Sequence, residues 1–395
     1  MENGQLIAAA EEERFTRKKH DFEFPYNAIR YCLNYQAITG NDIDYVVFFE
    51  KPFVKFDRLL RTSLQGFPKT HRLFVQSMRT WLLDKLWVKA LISKTVGINP
   101  KNILFSEHHL SHAASSYFCS PFDESAVLTF DGVGEWSTTT MGIGKGNDLT
   151  LNRELRFPHS IGLLYSAFTA FLGFEINEGE YKVMGMAPYG SPRYVDQVRE
   201  VIDQSDDGSF RLNPDYFSLH YSTKSSYTRK FETIFGNPRD PKADFFTADK
   251  EFASYLGQKP NNFYELCTYN QHYADIAASI QTVTEDLIIN LANEVYSQTG
   301  SKHLCLAGGV ALNSVANTRV LTETPFENLY IQPSAGDGGG ALGAALYVWH
   351  TALGNGGRQI MKHAYWGQSY DNDQMVSLLS KICGIRSGLE GPASV

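Results

Sequence analysis

Three times along this 395-residue chain an apolar, strand-like run stops at a glycine-rich turn, and this pattern restricts the fold more than any other feature. Residues 125–130 (Ser-Ala-Val-Leu-Thr-Phe) end at Asp131-Gly132-Val133-Gly134-Glu135. Residues 303–307 end at Gly308-Gly309, and residues 328–332 lead into a third loop, Gly336 to Gly340. Glycine lets the backbone approach a bulky anion, and successive N–H groups can cradle phosphate oxygens. Helical spacing resumes after the second and third turns, over 311–320 and 341–350. Strand, glycine turn and packed helix, repeated, predict an α/β protein with a cleft. Neither G-x-x-x-x-G-K-[ST] nor G-x-G-x-x-G occurs, so P-loop and Rossmann fingerprints are not supported. Ordinary hairpin and helix-capping glycines would leave the same trace, so the turns alone leave a nucleotide site open.

The remaining pattern fills in around these units. Residues 6–10 read as a strand running into the charged loop Glu11-Glu12-Glu13-Arg14. Residues 25–35 read as a helix, 44–49 as a buried strand, 56–96 as long and helical, 103–105 as a strand, and 111–117 as a helix. Residues 138–143 form the expected hairpin partner of 125–130. A helix is expected over 161–173, and the strongest one over 269–297, where Ile276, Ile280, Val283, Leu287 and Leu291 recur at helical spacing. The polar stretch 200–262 reads as a surface insertion with weak structure. The length allows two or three compact units or one large duplicated one. The expected division is an N-terminal lobe over 1–150, a C-terminal lobe over 151–370 that includes the insertion, and a linker or tail over 371–395.

Composition excludes several classes. Hydrophobic residues make up 43% and charged ones 20%, which is a core-forming rather than a disordered balance. A net charge of −7 gives no support for a polyanion-binding surface, and nucleic acid is not an expected partner. The basic run Arg14 to His20 is equally well a solvated loop. Five cysteines, odd in number and widely spaced, argue against a disulfide framework and a zinc knuckle. No apolar run reaches ~18 residues, so no membrane span is expected, and a membrane is not an expected partner. With no signal-like start, a cytoplasmic protein is the default expectation.

A second constellation is Glu107-His108-His109-Leu110-Ser111-His112. His108 and His112 are four apart, so on a helix they share one face and can chelate a single metal. Asp131 and Asp337, in two of the glycine loops, can complete a His₂Asp₂ shell. Mixed imidazole and carboxylate ligation suits Fe(II), Mn(II) or Zn(II). A helix-capping or core histidine cluster is the plainer alternative. A third stretch, Glu178 to Gly190, mixes acids, Lys182, Gly185 and flexible Met in a loop-helix segment that can contact a nucleotide or an acceptor hydroxyl, or be a plain surface turn.

Four segments together resemble one family. They are Ala8 to Asp21 (Ala-Ala-Ala-Glu-Glu-Glu-Arg-Phe-Thr-Arg-Lys-Lys-His-Asp), His108 to Ser115, Gly308 to Asn313, and Pro333 to Gly338. They closely resemble the NodU/CmcH family of O-carbamoyltransferases, and the likeness runs from about residue 5 to 370. The family's main domain is TsaD-like. The resemblance therefore implies a duplicated actin-like ATPase and sugar-kinase-like (ribonuclease H-like) fold, with two lobes around a nucleotide cleft. It implies that carbamoyl phosphate and ATP give a carbamoyl-adenylate, whose carbamoyl group passes to a hydroxyl of an acceptor. By this likeness His108, His112, Asp131 and Asp337 hold a divalent iron. Gly132, Gly134, Gly308, Gly309, Asn313, Gly336 and Gly338 line the nucleotide, with Lys182 and Gly185 as looser candidates. The acceptor hydroxyl needs a base, and His109 and Glu135 are the candidates.

The chain departs from the family pattern at both ends. The first strand with its Asp- or His-bearing loop, and the C-terminal YrdC-like domain that forms the adenylate, are not found. The expected partners are thus carbamoyl phosphate, ATP, a hydroxyl acceptor and a YrdC-like domain in cis or in trans; a homodimer is left open. Two rival readings remain: an ATP-dependent sugar kinase of the same fold using Asp131 as base, and a non-catalytic nucleotide- or metal-binding fragment.

Overall fold

The computed structural model describes residues 1–383 apart from 84, 206, 223, 249–251, 254 and 256. Its centre is a mixed five-stranded sheet. The strands are β3 (Glu124–Phe130), β4 (Ser137–Lys145), β5 (Asp148–Arg156), β8 (His303–Ala307) and β9 (Asn328–Ile331), in the order β5-β4-β3-β8-β9. A parallel pair, β1 (Val46–Phe48) and β2 (Ile103–Phe105), stands apart, as does the antiparallel pair β6 (Ile202–Gln204) and β7 (Phe210–Leu212). β3, β4 and β5 form an antiparallel meander, whereas β3, β8 and β9 run parallel. The short β3–β4 connection is the expected hairpin, and it carries the first glycine turn.

Side-chain alternation divides the core between the two faces of this sheet. Ala126, Leu128 and Phe130 of β3, with Leu304 and Leu306 of β8, point to one face. There they meet Ile276, Ile280, Val283 and Leu287 of the long helix Phe263–Thr299. Val127 and Cys305 point to the other face, against Ala113, Ala114 and Tyr117 of the helix His108–Tyr117. Helices on both faces bury β3 and β8 fully, which accounts for their almost unbroken apolar runs.

Several expectations are corrected. Residues 6–10 form no strand; Leu6 N–H donates to Gln359 Oε1 and Ala9 N–H to the Trp366 carbonyl instead. The stretch 56–96 is three helices, Pro52–Gln65, His71–Leu83 and Val88–Val96, the first break falling at Gly66-Phe67-Pro68. The 200–262 segment is not a surface loop. It supplies Phe210, Phe217, Phe231 and Phe235, all buried, and Phe231 and Phe235 pack ring against ring with Phe168 and Phe171. Residue 150 lies inside β5, and residues 124–156 share one sheet with 303–331. Of the expected tail, Asn372–Cys383 is helical, and 384–395 lie outside the described residues.

Candidate metal and nucleotide site

The three glycine loops all leave the carboxyl ends of the parallel strands β3, β8 and β9. In open α/β sheets this edge is where ligands bind. The helix His108–Tyr117 begins at the same edge, so its first turn brings His108 and His112 over Asp131 and Asp337.

Tight packing sets that approach. The helix Gly340–Tyr347, just after the Asp337 loop, crosses the histidine helix so closely that a Cβ on Gly343 would lie 1.8 Å from the Ser111 carbonyl oxygen. Gly340 meets the Phe49 ring in the same way. Gly340 closes the third glycine loop read from the sequence; Gly343 was missed there, and its place three residues on along the same helical face was the available signal.

The four side chains converge. His108 Nε2 lies 2.9 Å from Asp131 Oδ2 and 3.5 Å from Asp337 Oδ1. His112 Nε2 lies 3.1 Å from His108 Nε2 and 3.5 Å from each of Asp131 Oδ2 and Asp337 Oδ1. All four ligand atoms fall within 4.8 Å of one another. Metal–ligand bonds of about 2.0–2.2 Å separate neighbouring ligand atoms by roughly 2.9–3.5 Å in tetrahedral or octahedral shells. Five edges of this cluster fall in that range. Two imidazole nitrogens facing each other at 3.1 Å can share one proton at most, yet both also face carboxylate oxygens. A cation at the centre satisfies all four groups, so the residues present fit a divalent metal. His108 and His112 are buried, and their Nδ1 atoms find no partner among the described residues. Ring orientation therefore comes from helix packing and not from hydrogen bonds behind the rings.

Electrostatics follow the same geometry. Burial alone would depress the His112 imidazolium, but the hydrogen bonds to Asp131 and Asp337 outweigh it and raise the group to about 9. Burial would raise the Asp131 carboxyl, but its bonds to His108 and His112 hold it well below the usual carboxylate range. Asp131 is fixed on its other side too, because Gly309 N–H donates to Oδ1 at 3.2 Å. A Cβ on Gly309 would meet that same oxygen at 2.9 Å, and one on Gly308, at φ +94°, would strike the Phe130 carbonyl at 2.2 Å. Gly308 is thus required by backbone contact and Gly309 by its close approach to the Asp131 carboxylate.

The other expected residues divide. Gly132 and Gly336 face open space beside the cluster, and Gly134 packs against the rings of His108 and His109. Gly338 lies against Glu11 and Ser334, which ties the charged N-terminal loop to the Asp337 loop. Asn313 has its amide engaged: Oδ1 caps Ala316 N–H, and the group pairs reciprocally with Gln281 at 3.0 Å. The Lys182 ammonium lies by the rings of Phe174 and Tyr181, and Gly185 faces open space; neither contact is to the four-residue cluster.

Both base candidates are occupied structurally. His109 is 3% exposed, with Nδ1 2.7 Å from Thr129 Oγ1; burial, then the neighbouring imidazoles, keep it well below the usual histidine range. Glu135 is 7% exposed and accepts the backbone N–H of Lys51 at 2.7 Å and of His108 at 3.1 Å. A carboxylate there complements the N-terminus of the histidine helix. Arg58, missed in the sequence, is buried and donates to the Gly134 carbonyl at 2.7 Å. A lone arginine in an apolar helical run carried too little signal.

Fold and site together define an α/β domain with an imidazole–carboxylate cluster at the carboxyl edge of its parallel strands. The chain belongs to the carbamoyltransferase family: the family described as "Carbamoyltransferase N-terminus" matches residues 1–346. It is 47% identical over 393 residues to the uncharacterized protein sll1178 of Synechocystis sp., covering 96% of this chain and 60% of that protein. It is 31% identical over 381 residues to nodulation protein NolNO of Sinorhizobium fredii, covering 95% and 49%. The chain thus spans roughly half to three fifths of these curated relatives. Among solved structures, HypF of T.kodakarensis is similar over 69% of this chain and 40% of that one, at 16% identity and a TM-score of 0.34. Among the described residues, no helix is long and apolar enough to cross a membrane.

Proposed function

We propose that this chain is the transfer domain of an O-carbamoyltransferase, passing the carbamoyl group of a carbamoyl-adenylate, made from carbamoyl phosphate and ATP, to an acceptor hydroxyl. The convergence of His108, His112, Asp131 and Asp337 at the glycine-loop edge carries this reading. These four residues would hold a divalent metal, Fe(II) in our reading. When bound, it supplies a positive charge that grips phosphate oxygens and offsets charge on the departing AMP. The loops at Gly132, Gly308, Gly309 and Gly336 offer backbone N–H groups and room to the nucleotide. Gly309 N–H and both histidines orient Asp131. Glu135 and His109 act by position: one holds the start of the histidine helix, the other packs it onto β3 through Thr129.

The sheet order β5-β4-β3-β8-β9, with β4 antiparallel to the rest, is that of a ribonuclease H-like half. It supports the duplicated, two-lobed actin-like fold we infer, with the β1–β2 region in the second lobe. The adenylate would come from a YrdC-like domain in cis or in trans. The direct test supplies such a domain with carbamoyl phosphate, ATP, a divalent metal and a panel of polyols, and follows labelled carbamoyl. We expect label in an acceptor, lost in Asp337→Ala. Metal and ATP binding with no transfer to any acceptor would return the non-catalytic reading. Phosphoryl transfer without carbamoyl phosphate would return the kinase reading.

A further inference from the structure

The segment from Lys51 to Lys94 stands out against the rest of the chain. It holds ten Lys and Arg against two Asp, in a protein of net charge −7. Lys51, Lys55 and Arg61 pair with Glu107, Glu50 and Asp57, and Arg58 is buried, which leaves Lys69, Arg72, Arg79, Lys85, Lys89 and Lys94 exposed without an acidic partner among the described residues. The helix Pro52–Gln65 buries only Pro52, Arg58 and Ser63, and the helix His71–Leu83 buries only Trp81. Several large apolar side chains of these helices and of the turns beside them face outward. Phe53 is 72% exposed, Phe67 68%, Leu64 65% and Trp87 62%. Arg61, Arg72, Arg79 and Lys85 are exposed among them.

On the second helix Arg72, Val75, Gln76 and Arg79 recur at i, i+3, i+4 and i+7 on one exposed face. Cations and apolar groups thus interleave along a strip. With His71 and Thr80 the four residues of the second helix line a wide-open concavity of about 410 Å³, in which cations stand beside the one apolar side chain, whereas a protein-binding anchor site closes an apolar pocket within a rim. Interleaved Lys or Arg with Phe, Leu and Trp is the composition of a helix lying in a membrane interface. There the rings and leucines enter the acyl boundary while the cations meet anionic headgroups. An isologous second copy would set this positive layer against itself, so self-association through it is opposed by charge. The acidic remainder of the chain is repelled by an anionic surface, which would orient the molecule with this layer facing down.

We propose that the helical layer 51–94 is a peripheral docking surface for anionic phospholipid. Such contact needs no spanning helix. It rests on exposure and charge alone and not on the proposed catalytic reading.

The test is co-sedimentation of the whole chain with phosphatidylglycerol–phosphatidylcholine vesicles against pure phosphatidylcholine, at rising salt. We expect selective, salt-sensitive binding with a blue shift of Trp87 emission that Trp87→Phe removes. Charge reversal at Arg61, Arg72 and Arg79 should weaken partition at least about tenfold. Leu64→Ser with Phe67→Ser should weaken it similarly; these side chains are mostly exposed, so unchanged circular dichroism and melting will show that the fold persists. Equal affinity for both vesicles, or none for either, would overturn the proposal. So would binding that the Leu64 and Phe67 changes leave intact, because that describes a plain polyanion site. Retention of an acidic protein without vesicle binding would assign the layer to a protein partner and overturn it as well.

Discussion

Metal uptake at the four-residue cluster should be linked to one proton, and the linkage should appear as a pH-dependent affinity. In the metal-free protein His112 is raised to about 9 by Asp131 and Asp337, so at pH 7 it carries a proton. A metal needs the neutral imidazole, so that proton must leave. Two pH units below 9, its removal costs about 2.7 kcal/mol, roughly a hundredfold in affinity. Asp131 is held well below the usual carboxylate range and His109 well below the usual histidine range, so neither adds a proton near neutrality. Affinity for Mn(II) or Fe(II) should rise about tenfold per pH unit between 6.5 and 8.5. Calorimetry in buffers of differing ionisation enthalpy should find close to one proton released per metal. A flat affinity over that range, or no released proton, refutes the ligand geometry. The stability of the metal-free protein moves the opposite way with pH. A group raised on folding stabilises the metal-free protein below its unfolded value near 6.5, and this contribution, at most about 3.4 kcal/mol, is lost as pH passes 9. Metal-free protein should therefore melt lower at pH 9 than at 6.5.

Other outcomes follow from packing. Glu135→Gln removes a buried anion from the start of the histidine helix, and should lower metal affinity about tenfold while costing roughly 1–2 kcal/mol in denaturant melts; unchanged affinity would confine Glu135 to stability. Gly343→Ala puts a methyl 1.8 Å from the Ser111 carbonyl, so the two helices must separate. That should cost at least about 1–3 kcal/mol and displace Asp337 from the cluster, read as a fall in both melting temperature and metal content. Phe231→Ala, in the ring cluster with Phe168, Phe171 and Phe235, should cost about 3–5 kcal/mol. A loss under 1 kcal/mol would mean the 200–262 segment is a loose appendage after all.

Much of the site was legible because its physics is local. Histidines four apart on one helix and an aspartate at each of two strand ends need only short-range structure to be read, and the family resemblance pointed to the same four residues. The parallel β3 and β8 were visible as apolar runs because burial on both faces leaves no polar alternation to obscure them. What escaped depends on partners distant in sequence. Residues 6–10 have strand composition, but their backbone meets Gln359 and Trp366 instead of a neighbouring strand. The 200–262 segment averages polar, and that average hid four buried phenylalanines spaced through it. Glu135 and His109 looked like free acid–base groups because the N–H and hydroxyl partners that occupy them lie 20 to 84 residues away. Gly343 was silent because the Ser111 carbonyl it accommodates belongs to another helix.

The most direct check is quantitative metal analysis of purified protein, wild type beside His112→Ala and Asp337→Ala. Our account predicts about one divalent ion per chain in the wild type, iron after anaerobic preparation, and little in either variant while both still fold. Wild-type protein that stays metal-free when offered iron or manganese, or variants that retain a full complement, would contradict it.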